Sequence, residues 1–354
     1  AETMLANLRE VSPTAIFAPP RTWEKLYSMV TLAVKDATAL QRWLYRKAVD
    51  LGAKIAEIED SGGKPSFGLS MSNRLIGLVG LSNVRKFMGI GRARFALTGA
   101  APISPDMIRW FRALGLRLRE AYGLTESVGL ATVMPFDVNQ AGSVGVAPDG
   151  IDISLSDAGE ILVRGRNVFM GYLNKPEQTA ESIDPDGWLH TGDVGRLGND
   201  GFLTITDRLK DVIVTAGGKN ITPSEIENQL KFSPYIADAV IIGDQRKYLS
   251  CLIMIDFDNV AKFAQDAHVP FTNYASLCGA EPVRTLIGEE VARVNKTVAR
   301  VEQIKTFRLI DIQLTAEDEE LTPTMKLKRL RQREIQDPDR RDVCLRTFRV
   351  AQGP

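Results

Sequence analysis

The stretch that most constrains the fold of this chain is residues 204–227, TITDRLKDVIVTAGGKNITPSEIE. It ends one apolar strand, places four charged residues within 207–211, and begins a second apolar strand at Val212. Gly217 and Gly218 then allow a sharp turn, because glycine adopts positive φ without steric cost. The stretch therefore predicts two strands separated by a short charged connector and followed by a turn.

A helix should begin directly after this turn, because its start signals are unusually complete. Thr222 is a good cap, Pro223 suits the first helical position, and Glu225 would complete a reciprocal capping box. By pattern alone, the two strands and their charged connector are equally typical of an ordinary β-hairpin.

The string as a whole, DRLKD followed by GGKNITPSEIE, resembles the hinge and the motif after it in AMP-forming acyl-CoA synthetases, members of the adenylate-forming ligases. In that family a large domain ends at this point and a small mobile domain begins. The resemblance implies an α/β fold in which residues 1–207 are the C-terminal portion of the large AMP-binding domain. That portion would combine a parallel α/β sheet with a small antiparallel β-barrel subdomain at about 128–207. Residues 208–354 would form a small α+β lid domain with its hinge at Lys210.

Length, net charge, cysteine content and the length of apolar stretches limit the class of protein. A chain of 354 residues exceeds the usual size of one hydrophobic core, so two domains are expected. The formal net charge of zero argues against nucleic acid as a partner, and the three widely spaced cysteines indicate a reducing compartment. The charged start does not resemble a signal peptide, and the longest uncharged apolar stretch, 75–84, is too short to span a bilayer. We expect a cytoplasmic protein, with peripheral contact at the inner membrane surface left open.

Residues 1–60 read mainly as helices around one short buried strand within 12–18. The pattern PT, PR and WEK in this region resembles a segment of long-chain fatty acyl-CoA synthetases. Residues 61–66 read as a loop, and 73–88 has the apolar spacing of one amphipathic helix. Four aromatic residues are expected in the core or at an interface: Trp23, Tyr27, Trp43 and Tyr45.

A strand–helix–strand unit comes next, with an apolar strand at 95–98, a helix beginning at Pro105 and a second strand at 116–119. Short apolar strands joined by a helix predict a parallel sheet, whose ligands bind beyond the carboxyl ends of the strands. The turn 99–102 and the segment 121–127 both follow such ends. Small residues in the turn let a flat ring lie against the backbone, and the segment gathers an aromatic ring, a hydroxyl and a carboxylate.

Alone, the sequence Tyr-Gly-Leu-Thr-Glu at 122–126 is equally explained by a buried tyrosine and a surface turn. It resembles the nucleotide-binding motif of the adenylate-forming ligases, and this implies specific roles. Thr125 would contact the α-phosphate of ATP, Glu126 would bind Mg²⁺, and Gly123 would belong to the same nucleotide site. The adenine would be lined by Gly99, Ala100, Ala101, Pro102 and Tyr122. A hard cation prefers carboxylate and phosphate oxygens, so these residue types suit that chemistry.

From 142 to 206, short alternating strands bounded by Gly and Asp turns predict a small antiparallel sheet or barrel. Within it, Trp188 and the Thr-Gly-Asp that ends at Asp193 are similar to a family motif, although Thr-Gly-Asp by itself is usually a plain turn. The resemblance assigns Asp193 to the two ribose hydroxyls and Arg208 to the ribose and phosphate. It gives His190 a structural role.

The resemblance implies that the lid domain serves the second step of the reaction, the transfer of the acyl group from the adenylate to CoA. Lys210 matches the hinge about which the lid turns, and Gly218 and Lys219 match the loop that faces the acyl–CoA tunnel after that turn. The ending 321–329, LTPTMKLKR, resembles the closing motif of long-chain acyl-CoA synthetases and makes Lys326 the lysine that completes the adenylation site. Without that context it is an ordinary solvated lysine. The basic segment beyond it is a solvated tail or a site for anionic lipid or CoA phosphates.

The resemblance implies a long-chain fatty acid–CoA ligase that uses ATP, Mg²⁺ and CoA. Lys326, Thr125 and Glu126 would act in its catalysis. Family members also carry a Ser/Thr/Gly-rich loop ending in Pro-Lys-Gly that holds the β- and γ-phosphates, and 61–65 lies on the wrong side of the WEK segment to supply it. We therefore expect a fragment, whose missing part belongs to the same protein or to a separate chain. The alternatives are a fatty acyl-AMP ligase, an aryl-CoA ligase, or a non-catalytic nucleotide- or lipid-binding module.

Overall fold

Val212 and Ile213 mark the division of the chain into two units, Ala1–Val212 and Ile213–Pro354. The structure, a computed structural model, describes residues 2–60, 63–136, 138 and 140–312. Each unit has its own sheets and its own hydrophobic core. No helix within these described residues is both long enough and apolar enough to cross a bilayer.

The first unit alternates helices with strands. Its helices are α1 (Glu2–Val11), α2 (Pro20–Asp36), α3 (Ala39–Asp60), α4 (Phe67–Gly80), α5 (Ser82–Phe87), α6 (Pro105–Ala113) and α7 (Pro176–Ser182). Its strands are β1 (Ala15–Ala18), β2 (Phe95–Thr98), β3 (Leu118–Tyr122), β4 (Thr132–Val133), β5 (Ile151–Leu155), β6 (Glu160–Gly165), β7 (Leu189–Leu197) and β8 (Leu203–Arg208).

The first sheet has the order β1-β2-β3-β4, with the first three strands parallel and β4 antiparallel. This confirms the predicted parallel α/β sheet, in which α6 links β2 to β3. The second strand of that unit is Leu118–Tyr122 rather than 116–119. The shift arises because Leu116 still belongs to the turn after α6, where its N–H donates to the carbonyl of Phe111. Tyr122 therefore ends the strand instead of following it.

Aromatic packing anchors α2 and α6 beside this sheet. Trp23 is fully buried and meets Phe111 edge to face at 5.2 Å, while its Nε1 donates to the carbonyl of Ala18. Tyr27 packs edge to face on Trp110, whose Nε1 donates to the hydroxyl of Tyr45. Trp43 is exposed on the first turns of α3, so of the two predicted places, core or interface, it does not lie in the core.

The single amphipathic helix predicted over 73–88 is two helices, α4 and α5, that meet at Leu81. The start lies upstream because Ser66 caps α4 by accepting from the N–H of Leu69. At the other end, Gly80 lies so close to α3 that a Cβ there would stand 3.3 Å from the Leu44 carbonyl oxygen. Leu81 is buried directly after this close approach, and the chain turns there.

The second sheet of the first unit is antiparallel throughout, in the order β5-β6-β7-β8. Because β5 and β8 do not pair in the described structure, the predicted barrel subdomain is a curled half-barrel. Its core is formed by inward-facing residues of the strands together with Tyr122 of β3. These residues are Ile161, Val163, Leu189 and Leu203.

The charged connector forms a 3₁₀ turn, Leu209–Asp211, after β8. The next strand of the chain, β9 (Ile213–Val214), pairs antiparallel with β10 (Asn220–Ile221) and not with β8. The hairpin alternative for this stretch is therefore wrong, because the connector joins strands of different sheets.

The second unit continues with a three-stranded sheet flanked by helices. Its further elements are α8 (Pro223–Lys231), β11 (Ile236–Ile242), β12 (Leu249–Ile255), α9 (Phe257–Asp266), α10 (Tyr274–Gly279), α11 (Glu281–Asn295) and β13 (Ile304–Leu309). β12 is central, antiparallel to β11 and parallel to β13. The apolar stripe of α11 is buried in the core of this unit through Val283, Ile287, Val291 and Val294.

The helix α8 begins at Pro223, as its start signals predict, but the capping box does not form. Thr222 makes no side-chain bond to the helix backbone, and its hydroxyl lies instead 3.5 Å from a carboxylate oxygen of Glu225. The two side chains that would each hold a backbone N–H interact with one another, so only proline's fixed φ marks the helix start.

Candidate functional site

Tyr122, Asp193 and Arg208 meet in the first unit, although 71 residues separate Tyr122 from Asp193 along the chain. The Tyr122 hydroxyl donates to Asp193 Oδ2 at 2.8 Å, and Arg208 Nε lies 3.3 Å from Asp193 Oδ1. The backbone sets up the second contact, because Asp193 on β7 and Arg208 on β8 are register partners. Three residues predicted to hold a nucleoside are therefore brought together by β3, β7 and β8.

Burial governs the charge state of this cluster. Burial raises the pKa of Asp193, while the hydrogen bond from Tyr122 and the charge of Arg208 lower it again in part. The pKa of Tyr122 lies far above its ordinary value, first because the ring is buried and second because Asp193 disfavours another negative charge. Tyr122 therefore stays a donor, and each Asp193 oxygen retains a lone pair for a further donor such as a sugar hydroxyl.

The turn before Asp193 is fixed by its neighbours. Gly192 has a φ of 71°, and its N–H donates to Glu160 Oε1 at 2.8 Å. Thr191 Oγ1 donates to a backbone carbonyl of β6 at 2.7 Å and accepts from the N–H of Asp193 at 3.1 Å. His190 Nδ1 lies 3.0 Å from the other oxygen of Glu160. These contacts hold the Asp193 carboxylate in one orientation.

The turn at the end of β2 lies directly against the end of β3. It consists of Gly99, Ala100, Ala101 and Pro102. A Cβ on Gly99 would stand 3.0 Å from the carbonyl oxygen of Ala121, the residue before Tyr122. Ala100 adopts a φ of 66°, and a Cβ on Gly123 would stand 2.5 Å from a backbone oxygen of the next turn. The predicted adenine wall therefore comes from neighbouring strand ends.

Glu126 is held by a tyrosine that the sequence did not single out. The 3₁₀ turn Thr125–Ser127 follows β3, and the Tyr172 hydroxyl donates to Glu126 Oε1 at 2.7 Å. The carbonyl of Glu126 accepts from the N–H of Phe169 at 2.8 Å, and the rings of Phe169 and Tyr172 meet edge to face. The pKa of Tyr172 is raised, first by this hydrogen bond. The only local sequence signal is an aromatic pair, Phe169 and Tyr172, separated by Met170 and Gly171, and it does not point to Glu126.

Two sequence profiles decide the family. Residues 1–173 match the AMP-binding enzyme family, and residues 210–337 match the AMP-binding enzyme C-terminal domain. The chain belongs to the AMP-binding enzymes. Tyr122, Glu126 and Tyr172 lie within the first match, and Asp193 and Arg208 lie between the two.

Relatives of known name agree with this family. The chain is 37% identical over 353 residues to the long-chain-fatty-acid–CoA ligase ACSBG1 of Rattus norvegicus, covering 93% of this chain and 48% of that protein. It is 34% identical over 329 residues to the long-chain-fatty-acid–CoA ligase FadD15 of Mycobacterium bovis, covering 93% of this chain and 54% of that protein. The chain thus spans about half the length of the curated relatives it matches.

A solved structure shows the same fold. The adenylation domain of a carboxylate reductase from Mycobacterium chelonae superposes with a TM-score of 0.69 at 21% sequence identity. The match covers 94% of this chain and 47% of that chain. At this identity the likeness concerns the fold of the AMP-binding enzymes alone.

Glu126 is the donor predicted for Mg²⁺ in this AMP-binding enzyme, and its surroundings suit a cation held mainly by a nucleotide. Among the described residues, three or more His, Cys, Asp or Glu side chains nowhere gather as a metal cage. One oxygen of Glu126 accepts from Tyr172, and the carboxylate has further lone pairs. Magnesium is commonly bound by one or two carboxylates with the remaining positions filled by phosphate and water. The donor set fits that kind of site.

A buried polar group that the sequence did not reveal precedes the two segments predicted to bind the nucleotide. Glu120 on β3 and Thr98 on β2 are register partners, and both side chains are buried. Glu120 Oε2, Thr98 Oγ1 and Ser104 Oγ have no hydrogen-bond partner within the structure. The N–H of Gly142 donates to the Glu120 carboxyl, and burial raises the pKa of Glu120 to about 8. Glu120 is therefore a neutral acid at pH 7, able to donate as well as accept.

The predicted lid residues are distributed as follows. Lys210 lies in the exposed 3₁₀ turn Leu209–Asp211 that ends the first unit. In the second unit, Gly218 has a φ of 75° with open space where a Cβ would stand, and Lys219 Nζ lies 3.7 Å from Glu302 Oε1. Lys326 lies outside the described residues, so its role stays a prediction.

Proposed function

We propose that this chain carries the nucleoside-binding part and the lid of a ligase that activates a long-chain fatty acid with ATP and transfers it to CoA. The observation that carries the proposal is the cluster of the buried Tyr122 and Asp193 with the exposed Arg208 at the strand ends, where a nucleoside would find two carboxylate oxygens and a cation. The names of the relatives supply the substrate class, since both are long-chain-fatty-acid–CoA ligases.

In the first proposed step, a fatty carboxylate oxygen attacks the α-phosphorus of ATP, and pyrophosphate leaves. Asp193 accepts hydrogen bonds from the ribose hydroxyls, and Tyr122 with the 99–102 turn bounds the adenine. Thr125 donates to an α-phosphate oxygen, and Lys326 stabilises the charge on the attacking carboxylate. These are positioning and electrostatic roles that need no proton transfer.

Glu126 would hold Mg²⁺ at this site, and Tyr172 orients Glu126 through its 2.7 Å hydrogen bond. When bound, the cation neutralises phosphate charge. The contribution of this chain is to fix one carboxylate oxygen in place, so that the other would be available to the cation.

In the second proposed step, the CoA thiolate attacks the acyl carbonyl carbon of the adenylate, and AMP leaves with the bonding electrons. Lys210 is the pivot of the lid movement that replaces Lys326 by Gly218 and Lys219. The open space at Gly218 supports this assignment, because a residue without a side chain lets a narrow thiol arm pass close to the backbone. Cytoplasmic location with peripheral membrane contact remains part of this proposal.

The proposal is tested in two stages. Calorimetric titration of the chain with AMP should give binding that Asp193→Ala abolishes and that the exposed substitution Asp200→Ala leaves intact. The chain is then combined with the upstream phosphate-binding half of a relative and assayed for pyrophosphate exchange and for product with and without CoA. Acyl-CoA supports the ligase, and acyl-adenylate that persists with CoA indicates a fatty acyl-AMP ligase. AMP binding without any exchange indicates a non-catalytic nucleotide-binding module, and no AMP binding at all overturns the proposal.

A further inference from the structure

Strand β7 carries a bulge at the carboxylate predicted to bind the ribose. His190 of this strand pairs with Leu162 of β6, and Val194 pairs with Glu160. The pairing therefore advances four residues along β7 but only two along β6, so that two residues of β7 are extra. Because a bulge redirects the side chains of its strand, this insertion sets the direction in which Asp193 points.

Side chains fasten the bulge where the regular pairing of the two strands is interrupted. Thr191 Oγ1 donates to the carbonyl of Ile161 on β6 at 2.7 Å. The N–H of Gly192 donates to Glu160 Oε1 at 2.8 Å, and Gly192 has a φ of 71°, which glycine adopts without strain. Glu160 thus holds the bulge from the neighbouring strand at the residue directly before Asp193.

The second carboxylate oxygen of Glu160 is oriented by a histidine. His190 Nδ1 lies 3.0 Å from Glu160 Oε2, and since an ionised carboxylate only accepts, Nδ1 carries the proton. The other ring nitrogen, Nε2, faces Asp184 Oδ2 at 3.7 Å. Asp184 is itself fixed, because its Oδ1 accepts from the N–H groups of Asp186 and Trp188. Only 14% of the Glu160 side chain is exposed, so water has little access to replace its partners.

We propose that Glu160 is a positioning residue for nucleotide recognition. It acts by fixing the bulge that carries the ribose-binding carboxylate of Asp193, and His190 orients it for this task. The inference rests on the proposed function, since it concerns the same nucleoside site. Both oxygens of Glu160 are engaged inside the chain, one by the bulge and one by the imidazole. The loss of Glu160 should therefore affect only those nucleotides that offer ribose hydroxyls to Asp193.

Calorimetric titrations with AMP and with 2′,3′-dideoxy-AMP, which lacks both ribose hydroxyls, test this selectivity. Glu160→Ala should weaken AMP binding about tenfold, because the Gly192 N–H loses its acceptor and Asp193 is no longer held in one direction. The weaker binding of dideoxy-AMP should stay within about twofold of its value in the parent. Asp157→Ala, at an exposed carboxylate in the turn before β6, is the matched control and should bind both nucleotides like the parent.

Conservative variants test the individual hydrogen bonds. Glu160→Gln should bind AMP within about threefold of the parent, because its amide oxygen accepts from Gly192. Its amide group then donates to His190 Nδ1 once the imidazole proton moves to Nε2, which faces Asp184. His190→Ala should weaken AMP binding roughly two- to fivefold, whereas His190→Asn, whose amide replaces the Nδ1–H donor, should bind like the parent.

The outcomes separate this inference from the proposed function. Equal losses for the two nucleotides in Glu160→Ala, an unchanged AMP affinity, or a glutamine variant as weak as the alanine variant overturn the positioning role and leave nucleoside binding by Asp193 standing. A parent that binds no AMP, or that binds AMP and dideoxy-AMP equally, overturns the ribose site and the inference with it. Thermal unfolding followed by circular dichroism checks the fold of each variant. If Glu160→Ala does not fold, the two variants of the half-exposed His190 decide by the same criteria.

Discussion

The Tyr122 hydroxyl donates a 2.8 Å hydrogen bond to Asp193 Oδ2 and ties the end of β3 to β7. Both residues are more than nine-tenths buried. The bond therefore lies in surroundings where an unpaired polar group is costly, and it fixes the carboxylate predicted to hold a ribose.

Tyr122→Phe should weaken AMP binding at neutral pH by roughly three- to tenfold, because a buried carboxylate loses its donor. The hydrogen bond lowers the pKa of Asp193, so its removal raises that pKa further. The acid-side loss of AMP affinity should then begin at a higher pH than in the parent. Calorimetric titration across pH 5 to 8 measures both effects. Tyr248→Phe, at an exposed tyrosine of the second unit, is the control, and an identical pH profile for Tyr122→Phe would contradict the assignment.

Asp193→Asn should separate stability from binding. Burial raises the pKa of Asp193 above its unfolded value, so the folded chain holds this proton more tightly than the unfolded chain does. The free energy of unfolding therefore falls as pH rises from the unfolded pKa through the folded pKa. Asparagine carries no such charge, and the variant should unfold at the same or a higher temperature than the parent at pH 8.

The same Asp193→Asn variant should bind AMP at least about tenfold more weakly, because one acceptor oxygen becomes an amide donor. Thermal unfolding and AMP titration on one preparation provide the comparison. A variant that is less stable and loses affinity in proportion would show that Asp193 acts in the fold and not on the nucleoside.

Glu120→Gln should stabilise the first unit in a pH-dependent way. Burial raises the pKa of Glu120 from 4.5 to about 8, so between these values the unfolded chain releases a proton that the folded chain keeps. The parent therefore loses unfolding free energy as pH rises through this window. The glutamine variant should gain on the parent by about 3 to 5 kcal/mol between pH 5 and pH 8.5.

Tryptophan fluorescence is the measurement for Glu120→Gln, because all four tryptophans (Trp23, Trp43, Trp110 and Trp188) belong to the first unit. Urea unfolding at pH 5 and pH 8.5 gives the two free energies. One of the two exposed glutamates of α7 supplies the control, Glu177→Gln. Equal effects of Glu120→Gln at both pH values would rule out a buried neutral acid.

Tyr172→Phe should weaken binding of MgATP by roughly three- to tenfold and leave binding of AMP without magnesium within about twofold. The reason is that Tyr172 touches Glu126, the predicted metal donor, and does not belong to the Tyr122–Asp193–Arg208 cluster. Parallel titrations with the two nucleotides give the ratio. If both affinities fall together, Tyr172 supports the whole site and not the metal donor.

The sequence predicted those elements whose bounds depend on a few neighbouring residues. The strand Phe95–Thr98 and the start of α6 at Pro105 agree with the prediction, since an apolar run and a proline at the first helical position act over a few residues. The buried residues of α11 are spaced by three and four residues, a local pattern that does not depend on what packs against the helix.

The features that could not be predicted depend on contacts between residues that are distant in the sequence. The break at Leu81 depends on the approach of α3 to Gly80, which lies far from Leu44 in the sequence. Within the site, Tyr172 reaches Glu126 across 46 residues, and no local pattern links them. The sequence names a carboxylate such as Glu120, but only the sheet register shows that it is buried opposite Thr98.

The lid hypothesis predicts opposite losses at two lysines. In the chain combined with an upstream phosphate-binding half, Lys210→Pro should leave adenylation within about twofold and slow thioester formation on the order of a hundredfold, because proline fixes φ at the proposed pivot. Lys326→Ala should slow adenylation on the order of a hundredfold and spare thioester formation from supplied acyl-adenylate, because it removes only charge stabilisation of the first step. Single-turnover assays of each step make the comparison, with the exposed Lys175→Ala as control. Equal loss of both steps in either variant would remove the basis for a turning lid.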